Sequence, residues 1–339
     1  MRRKPTIQDV ANLAGVSKST VSKFLNDVPY VSPETRRKIE QAIQSLDFRP
    51  NTFARGLVNN TSGLIGLVIS GVDVLVNVEL IRAIEIEAGK HGYHVVLVST
   101  NDNYSLEKEI PQILSEKFHY LDGVILANAR EGMDLGLLRR TFEHVVMVHR
   151  YIPNNIIDFV TIDGYLGGKL AAEYLISLGH KHLAMIVGPA AIFQSRDRLK
   201  GFKDTLNEYG LLENSVIVES GYSVEEGFQA AEKIMFEYKE LTAIFASSDM
   251  IALGVLDAAR LFRWKIPEDL SVIGFDNMAF SRLARIPLTT IDGRIKEMGR
   301  LAVQKLMERI RRERTEREQV FLRPSLIVRE SCREFTGKG

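Results

Sequence analysis

Cysteine is nearly absent from this 339-residue chain, where Cys332 stands alone. A single thiol excludes an internal disulfide framework and any zinc cluster built on cysteines. No apolar run reaches the roughly 18 residues that a membrane-spanning helix needs, so no membrane is expected as a partner. The start, Met1-Arg2-Arg3-Lys4-Pro5-Thr6, is basic but lacks the apolar stretch of a secretion signal, which predicts a cytoplasmic protein. With 45% hydrophobic residues and only 10 prolines, the chain is neither disordered nor collagen-like. Enzyme motifs are missing as well. Gly164-Tyr165-Leu166-Gly167-Gly168-Lys169-Leu170 is one residue too short for a phosphate loop and ends in Leu instead of Ser/Thr, so it reads as a helix start. No Gly-x-Ser-x-Gly elbow occurs. The pairs His91/His94 and His180/His182 have no matching third ligand nearby, so neither a metal nor a cofactor is expected.

Net charge is also nearly absent, with 44 Lys+Arg against 43 Asp+Glu, but the distribution is uneven. Residues 1–60 hold ten Lys/Arg and five Asp/Glu, and the remainder is slightly acidic. A basic module on an acidic body points to a polyanion for the first segment; a solvated basic surface accounts for charge alone equally well.

The first sixty residues show only helical periods. Ile7, Val10, Ala11 and Ala14 form one stripe, with Thr6 as N-cap and Gly15 as the turn that follows. Ser17 caps a second helix whose Val21 and Leu25 face inward, while Lys18, Ser19, Ser22 and Lys23 face out. Helix, Gly turn and helix make a helix-turn-helix pattern, although a generic three-helix bundle has the same stripes. Ser32-Pro33 opens a third helix, with Ile39, Ala42, Ile43 and Leu46 inward. The short, polar and basic outward set of the second helix suits the major groove. Asn51, after Pro50, can cap a helix of about two turns, which is marginal alone. There Leu57 beside Arg55 suits the minor groove, or else packs on the body as a linker residue.

From Leu64 onward, short β-branched runs alternate with helical stretches. The runs are 64–69, 94–98, 123–126, 145–148, 183–187, 215–218, 242–245 and 271–275, with helices such as 79–91, 166–178 and 250–262 between them. This alternation predicts βαβ units and α/β folding in doubly wound parallel sheets. Eight strands exceed one comfortable core, so two lobes are expected, the chain crossing near 158–163 and returning near 289–293. A helix over 298–310 and one last strand over 320–328 complete the pattern. The expected domains are a headpiece at 1–49, a hinge helix and linker at 50–60, an N-lobe at 61–161 and 293–320, and a C-lobe at 162–292 and 321–339.

The stretch Thr6-Ile7-Gln8-Asp9-Val10-Ala11, Ala14-Gly15-Val16-Ser17, Thr20-Val21-Ser22, Leu25-Asn26 closely resembles the headpiece of the lactose-repressor (LacI/GalR) family. So does Val31-Ser32-Pro33-Glu34-Thr35-Arg36, with Pro50-Asn51, Ala54-Arg55 and Leu57 after it. The likeness continues in order through Gly179-His180, Arg198, Gly201-Phe202, Asp249, Ala252-Leu253-Gly254, Pro267, Leu270 to Asp276 and Leu288-Thr289-Thr290-Ile291. The resemblance implies a homodimeric transcriptional regulator, expected to be a repressor. Such proteins bind palindromic double-stranded operator DNA and sense a small-molecule effector in a periplasmic-binding-protein-like body. Carried over by motif, Lys18, Ser19 and Lys23 read bases, and Ser17, Thr20 and Asn26 contact phosphates. Leu57 matches the hinge leucine that wedges into the minor groove.

Ligands of open α/β sheets bind beyond the carboxyl ends of strands, where Asp276 and Ser248-Asp249 fall. By resemblance Arg198 and Asp276 hold the effector; as bare residues they read first as a surface ion pair, and Asp249 as a helix cap. A guanidinium and a carboxylate together serve vicinal hydroxyls. Tyr222 stands where the family often places an aromatic ring, and Arg150, Phe193, Gln194 and Ser248 complete the expected pocket. Two positions depart from the family: Val74-Leu75-Val76-Asn77 replaces an Asn-Pro-aromatic-aromatic segment, and His149-Arg150 replaces Asp-Arg. Ile192 stands where a purine-binding relative has a basic residue, which favours a sugar effector over a nucleobase. A free-standing solute-binding protein would explain residues 64–339 but not the basic headpiece. Because no C-terminal leucine heptads follow Glu330, a dimer without a tetramerising tail is expected.

Overall fold

The computed structural model describes residues 5–25, 31–48, 61–72, 74–153 and 156–337. The expectations for Asn26, Asn51, Arg55 and Leu57 lie outside the described residues. Two compact units are formed, Met1–Gly63 and Leu64–Gly339.

In the first unit, α1 (Ile7–Ala14), α2 (Lys18–Leu25) and α3 (Pro33–Leu46) follow the apolar stripes. Thr6 starts α1 in a reciprocal capping box, its hydroxyl accepting from Asp9 N at 3.4 Å while the Asp9 carboxylate accepts from Thr6 N at 2.7 Å. Gly15, at φ 66°, stops α1 in the left-handed region where a side chain is disfavoured. Ser17 Oγ accepts from Thr20 N at 3.1 Å, and Ser32 Oγ from Thr35 N at 3.3 Å, so both expected caps form. Val10, Val21 and Ile39 are fully buried between the helices, contributing about 1.5–3 kcal/mol each.

The second unit contains two six-stranded sheets. The first has the order β11-β5-β4-β3-β1-β2, all parallel, from β1 (Leu64–Ile69), β2 (His94–Ser99), β3 (Gly123–Asn128), β4 (Val145–Arg150), β5 (Asp158–Ile162) and β11 (Gln319–Leu322). The second has the order β12-β10-β9-β8-β6-β7, from β6 (Leu183–Val187), β7 (Ser215–Glu219), β8 (Ala243–Ala246), β9 (Ser271–Phe275), β10 (Thr289–Asp292) and β12 (Ser325–Ile327). It is parallel except for β12, which runs antiparallel to β10. Central strands such as β3 and β6 are buried along their whole length, whereas the edges β2 and β7 are partly exposed, which is why the central runs read as continuously apolar.

The helices of this unit are α4 (Leu75–Lys90), α5 (Tyr104–Lys117), α6 (Leu135–Thr141), α7 (Gly164–Ser177), α8 (Phe193–Glu208), α9 (Val224–Glu237), α10 (Asp249–Leu261) and α11 (Ile295–Ile310). Among the described residues no helix is long and apolar enough to cross a membrane. The chain leaves the first sheet after β5, builds the second from β6 to β10, and returns in α11, whose Met298, Ala302 and Leu306 join the core beside Leu80 and Ile84 of α4.

The single last strand expected over 320–328 is corrected to two. Phe321 and Leu322 pair with β5 in the first sheet, and Ser325 to Ile327 pair with β10 in the second. The third crossing therefore falls at Arg323-Pro324, later than the expected 320/321 boundary. Arg323, Pro324 and Ser325 interrupt the apolar run there, and proline, lacking an N–H, ends the pairing; the expected single strand ran through this break. Gly164 to Lys169 is the start of α7, as expected, and its glycines set a close helix packing. A methyl group at Gly168 would sit 2.0 Å from the Arg198 carbonyl oxygen, and one at Gly201 would sit 1.9 Å from that of Tyr165. This contact presses α8, and Arg198 with it, onto α7.

Candidate functional site

The carboxyl ends of the two sheets face each other, because side chains from one reach the backbone of the other. Gln194, in the first turn of α8, donates to the His149 carbonyl at the end of β4, and to Thr161 Oγ1 of β5 at 3.3 Å. Tyr151 OH donates to Asp197 Oδ2 at 2.7 Å, and Arg196 lies 3.5 Å from Glu131. The Phe193 ring lies 6.0 Å from Tyr151 and under the Arg196 guanidinium. Phe193 and Gln194, both expected in the pocket, are thus engaged in bridging the lobes, with Gln194 Oε1 buried and still without a hydrogen bond.

On the C-lobe side, Arg198 is 3% exposed. Its Nη1 donates to the Ser247 carbonyl at 2.5 Å, its plane lies 3.5 Å from the centre of the Phe275 ring, and Nη2 is 3.6 Å from Asp276 Oδ1. That last distance is an ion pair too long for a hydrogen bond. Arg198 Nε and Asp276 Oδ1 are both buried without a hydrogen bond. Burial pushes the Asp276 carboxyl up to about 7 despite the pull of Arg198, and Asp249, Asp292 and Glu79 add to the rise. Asp276 has φ 108° and Asn277 φ 54°, strained backbone of the kind that gathers at ligand sites.

Asp249 is not the helix cap it was expected to be. Ser248 caps α10, accepting from Ile251 N at 3.1 Å. The Asp249 carboxylate instead accepts from Met278 N at 2.8 Å, Thr290 Oγ1 at 2.6 Å and Ser281 Oγ, tying together the loops that carry Asp276. Gly274 leaves room for it, since a methyl there would meet Asp249 Oδ1 at 2.2 Å. Ser248 keeps its proton free to donate, its oxygen being used in the cap. Tyr222 OH bonds Ser195 Oγ at 2.6 Å, and the hydroxyl end of its ring packs closely on Gly188, where a methyl would come within 2.3 Å. Tyr222 is therefore held as a rigid wall.

On the N-lobe side, Arg150 ends β4, its side chain 11% exposed, with Asp102 and Glu107 each 3.8 Å away. Glu107 is 1% exposed and pairs with Arg130 Nε at 2.8 Å; burial raises its pKa against the pull of both arginines. His149 has φ 64°, and burial, with Arg198 and Arg150 nearby, holds its imidazole down to about 3 and neutral. Asn77 donates to the Gly71 carbonyl at 2.7 Å and Ser70 Oγ at 3.2 Å, so the departing segment 74–77 is the first turn of α4, folded onto the loop after β1. Glu107, Arg130, Asn77 and Asp197 escaped the sequence reading. Each is a polar residue whose partners are set by the fold, and no local period marks it.

In the first unit, Ser17, Lys18, Ser19 and Lys23 are exposed and Thr20 is half-buried, along the outer face and start of α2. The three hydroxyls are linked, Ser17 Oγ lying 2.8 Å from both Ser19 Oγ and Thr20 Oγ1. Among the described residues neither lysine has a carboxylate partner, so both ammonium groups are available to a polyanion.

Known proteins share this organisation. The family model for bacterial regulatory proteins of the lacI family matches residues 6–51, and that for the periplasmic binding protein-like domain matches residues 172–332. The chain is 34% identical to the HTH-type transcriptional regulator DegA of Bacillus subtilis, over 97% of this chain and 98% of the relative. It is 34% identical to the HTH-type transcriptional repressor PurR of Pasteurella multocida, over 97% and 98%. It is 32% identical to the ribose operon repressor of Halalkalibacterium halodurans, over 97% of each. The Lac repressor dimer bound to operator and the anti-inducer ONPF superposes with a TM-score of 0.86 at 26% identity, over 98% of this chain and 100% of that one. A helix-turn-helix unit, a two-lobed α/β body and end-to-end likeness to these regulators make the chain a member of the lacI family, a DNA-binding transcriptional regulator and not an enzyme, with an effector site in its periplasmic-binding-protein-like body.

Proposed function

We propose that the protein is a homodimeric cytoplasmic repressor that binds a palindromic operator through α2 and is controlled by a sugar held between its lobes. The observation that carries the sugar reading is the Arg198–Asp276 pair, buried at the carboxyl ends of β6 and β9 with Nε and Oδ1 left without hydrogen bonds. Buried polar atoms are nearly always satisfied, so a donor and an acceptor open side by side call for a ligand group that both accepts and donates, as a hydroxyl does. Tyr222, packed closely on Gly188, offers an aromatic ring on which a sugar face can stack. The ribose operon repressor among the relatives supports the same class. A nucleobase is the second reading, favoured by the planar Tyr222 and opposed by the apolar, buried Ile192 immediately before α8.

One headpiece with a single reading helix covers few base pairs, and two-fold pairing supplies the rest. The lobe-bridging contacts of α8 support control by movement: a ligand that alters them shifts the lobe equilibrium, and with it the geometry offered to DNA. Fluorescence anisotropy on palindromic duplexes tests the DNA half, with a steep loss of affinity expected as salt rises. A thermal-shift screen of monosaccharides, disaccharides and purines tests the ligand half, and the stabilisation should vanish in Arg198→Ala. Indifference to every duplex, or a shift that survives Arg198→Ala, refutes the respective half.

A further inference from the structure

Deepening the sugar reading, on which it rests, we propose that the effector is an acidic sugar, a polyol whose one anionic group, carboxylate or phosphate, is held by Arg150 while its hydroxyls lie between Arg198 and Asp276. The argument starts from the N-lobe half of the cleft. Arg150 is taken out of water at the end of β4, yet Nη1 has no hydrogen bond. The two carboxylates beside it stand at 3.8 Å, beyond hydrogen-bond reach, and neither is free to come closer as a full partner. Glu107 is ion-paired with Arg130, its Oε2 2.8 Å from Arg130 Nε without a hydrogen bond between them, while its Oε1 accepts from Thr100 Oγ1 at 3.4 Å. Asp102 sits in a left-handed turn at φ 54° with its side chain 54% exposed to solvent. A guanidinium buried in this way carries a desolvation cost that only a hydrogen-bonded acceptor offsets, and charged acceptors offset it best.

Arginines of both lobes act around this point: Arg150 at the end of β4 and Arg198 in α8 both act on His149, and Arg130, after β3, acts on Arg150. His149 lies within the field of two of them and is held neutral by burial and by their charge. Beside Arg198 stands the Asp276 carboxylate, which itself lacks a hydrogen bond on Oδ1. A neutral sugar serves Arg198 and Asp276 through its hydroxyls but leaves the Arg150 fork with weak acceptors in a site the ligand has dried. An anion at one end of the same polyol fits the planar guanidinium through paired hydrogen bonds. The polar asymmetry of the site, a carboxylate beside Arg198 and none bonded to Arg150, thus matches a ligand with hydroxyls at one end and negative charge at the other.

Isothermal titration of the full-length protein with matched sets built on glucose, galactose and mannose tests this, each set holding the free sugar, its aldonate, its uronate and its 6-phosphate. At least one acidic member is expected to bind ten times more tightly than its neutral parent. Which arm responds tells carboxylate from phosphate. Arg150→Gln should bring that ratio close to one, and Arg150→Lys, which keeps the charge but loses the fork, should leave an intermediate ratio. The melting temperature of each variant reports folding, and the wild-type ratio stands by itself if a variant fails to fold. A neutral sugar that binds as tightly as its acids overturns the inference and leaves the sugar reading standing. A ratio unchanged in a folded Arg150→Gln also overturns it. Binding by purines alone, or by no acidic member, overturns it too, and purine binding removes the sugar reading as well.

Discussion

Asp276 makes effector binding depend on pH, in a direction and size set by its surroundings. Its carboxyl is pushed up to about 7 by burial, against the attraction of Arg198 in α8 and with the further repulsion of Asp249 in α10, Asp292 at the end of β10 and Glu79 in α4. A ligand hydroxyl that donates to Oδ1 binds the ionised form. Ionisation falls from about nine-tenths at pH 8 to about one-tenth at pH 6, so affinity should drop roughly tenfold, about 1.4 kcal/mol. Asp249, pushed up to about 6, steepens the loss below that point, because its carboxylate anchors Met278 N, Ser281 and Thr290 around the same loop. Isothermal titration with the effector at pH 6, 7 and 8 in buffers of different ionisation enthalpy measures both the affinity and the proton released. Asp276→Asn should bind more weakly and lose most of the pH dependence. A wild-type affinity constant within twofold from pH 6 to 8, or an equal slope in Asp276→Asn, would refute the reasoning.

Three further outcomes are expected. Gly201→Ala puts a methyl 1.9 Å from the Tyr165 carbonyl oxygen and should lower unfolding stability by about 1–3 kcal/mol while weakening effector binding through Arg198; an unchanged urea midpoint contradicts the packing argument. His149 is held down to about 3 in the fold but titrates near 6.5 when unfolded, so its contribution is present above pH 6.5 and is lost as acid protonates the unfolded chain. That loss amounts to about 1 kcal/mol per pH unit, and His149→Gln should unfold with a shallower decline between pH 6.5 and 5 in chemical denaturation. Leu57→Ala, at the position resembling the hinge leucine, should lose at least tenfold in operator affinity by anisotropy with no change in melting temperature.

Much of this architecture was readable along the chain. Local period, caps and turns mark the three headpiece helices, because Thr6, Gly15, Ser17 and Ser32-Pro33 act within a few residues of themselves. The apolar runs mark eight of the twelve described strands, since most positions of a strand covered on both faces are apolar. The strands Asp158–Ile162 and Thr289–Asp292 were legible only as lobe crossings, and which sheet each half of 320–328 joins was not legible, because pairing partners are chosen in space.

The site divides in the same way. Arg198 and Asp276 were found through their place after strands and through a family pattern. The bridging roles of Phe193 and Gln194, the anchoring of loops by Asp249 and the Arg150 Nη1 left without a hydrogen bond near Glu107 were decided only by the tertiary structure. A side chain's local helix or strand depends on near neighbours, whereas its burial, charge state and unpaired atoms depend on groups brought close from tens of residues away. For that reason the sequence by itself determined the elements, the order of the lobes and the class of regulator. The folded chain alone decided which polar groups are left open to a ligand.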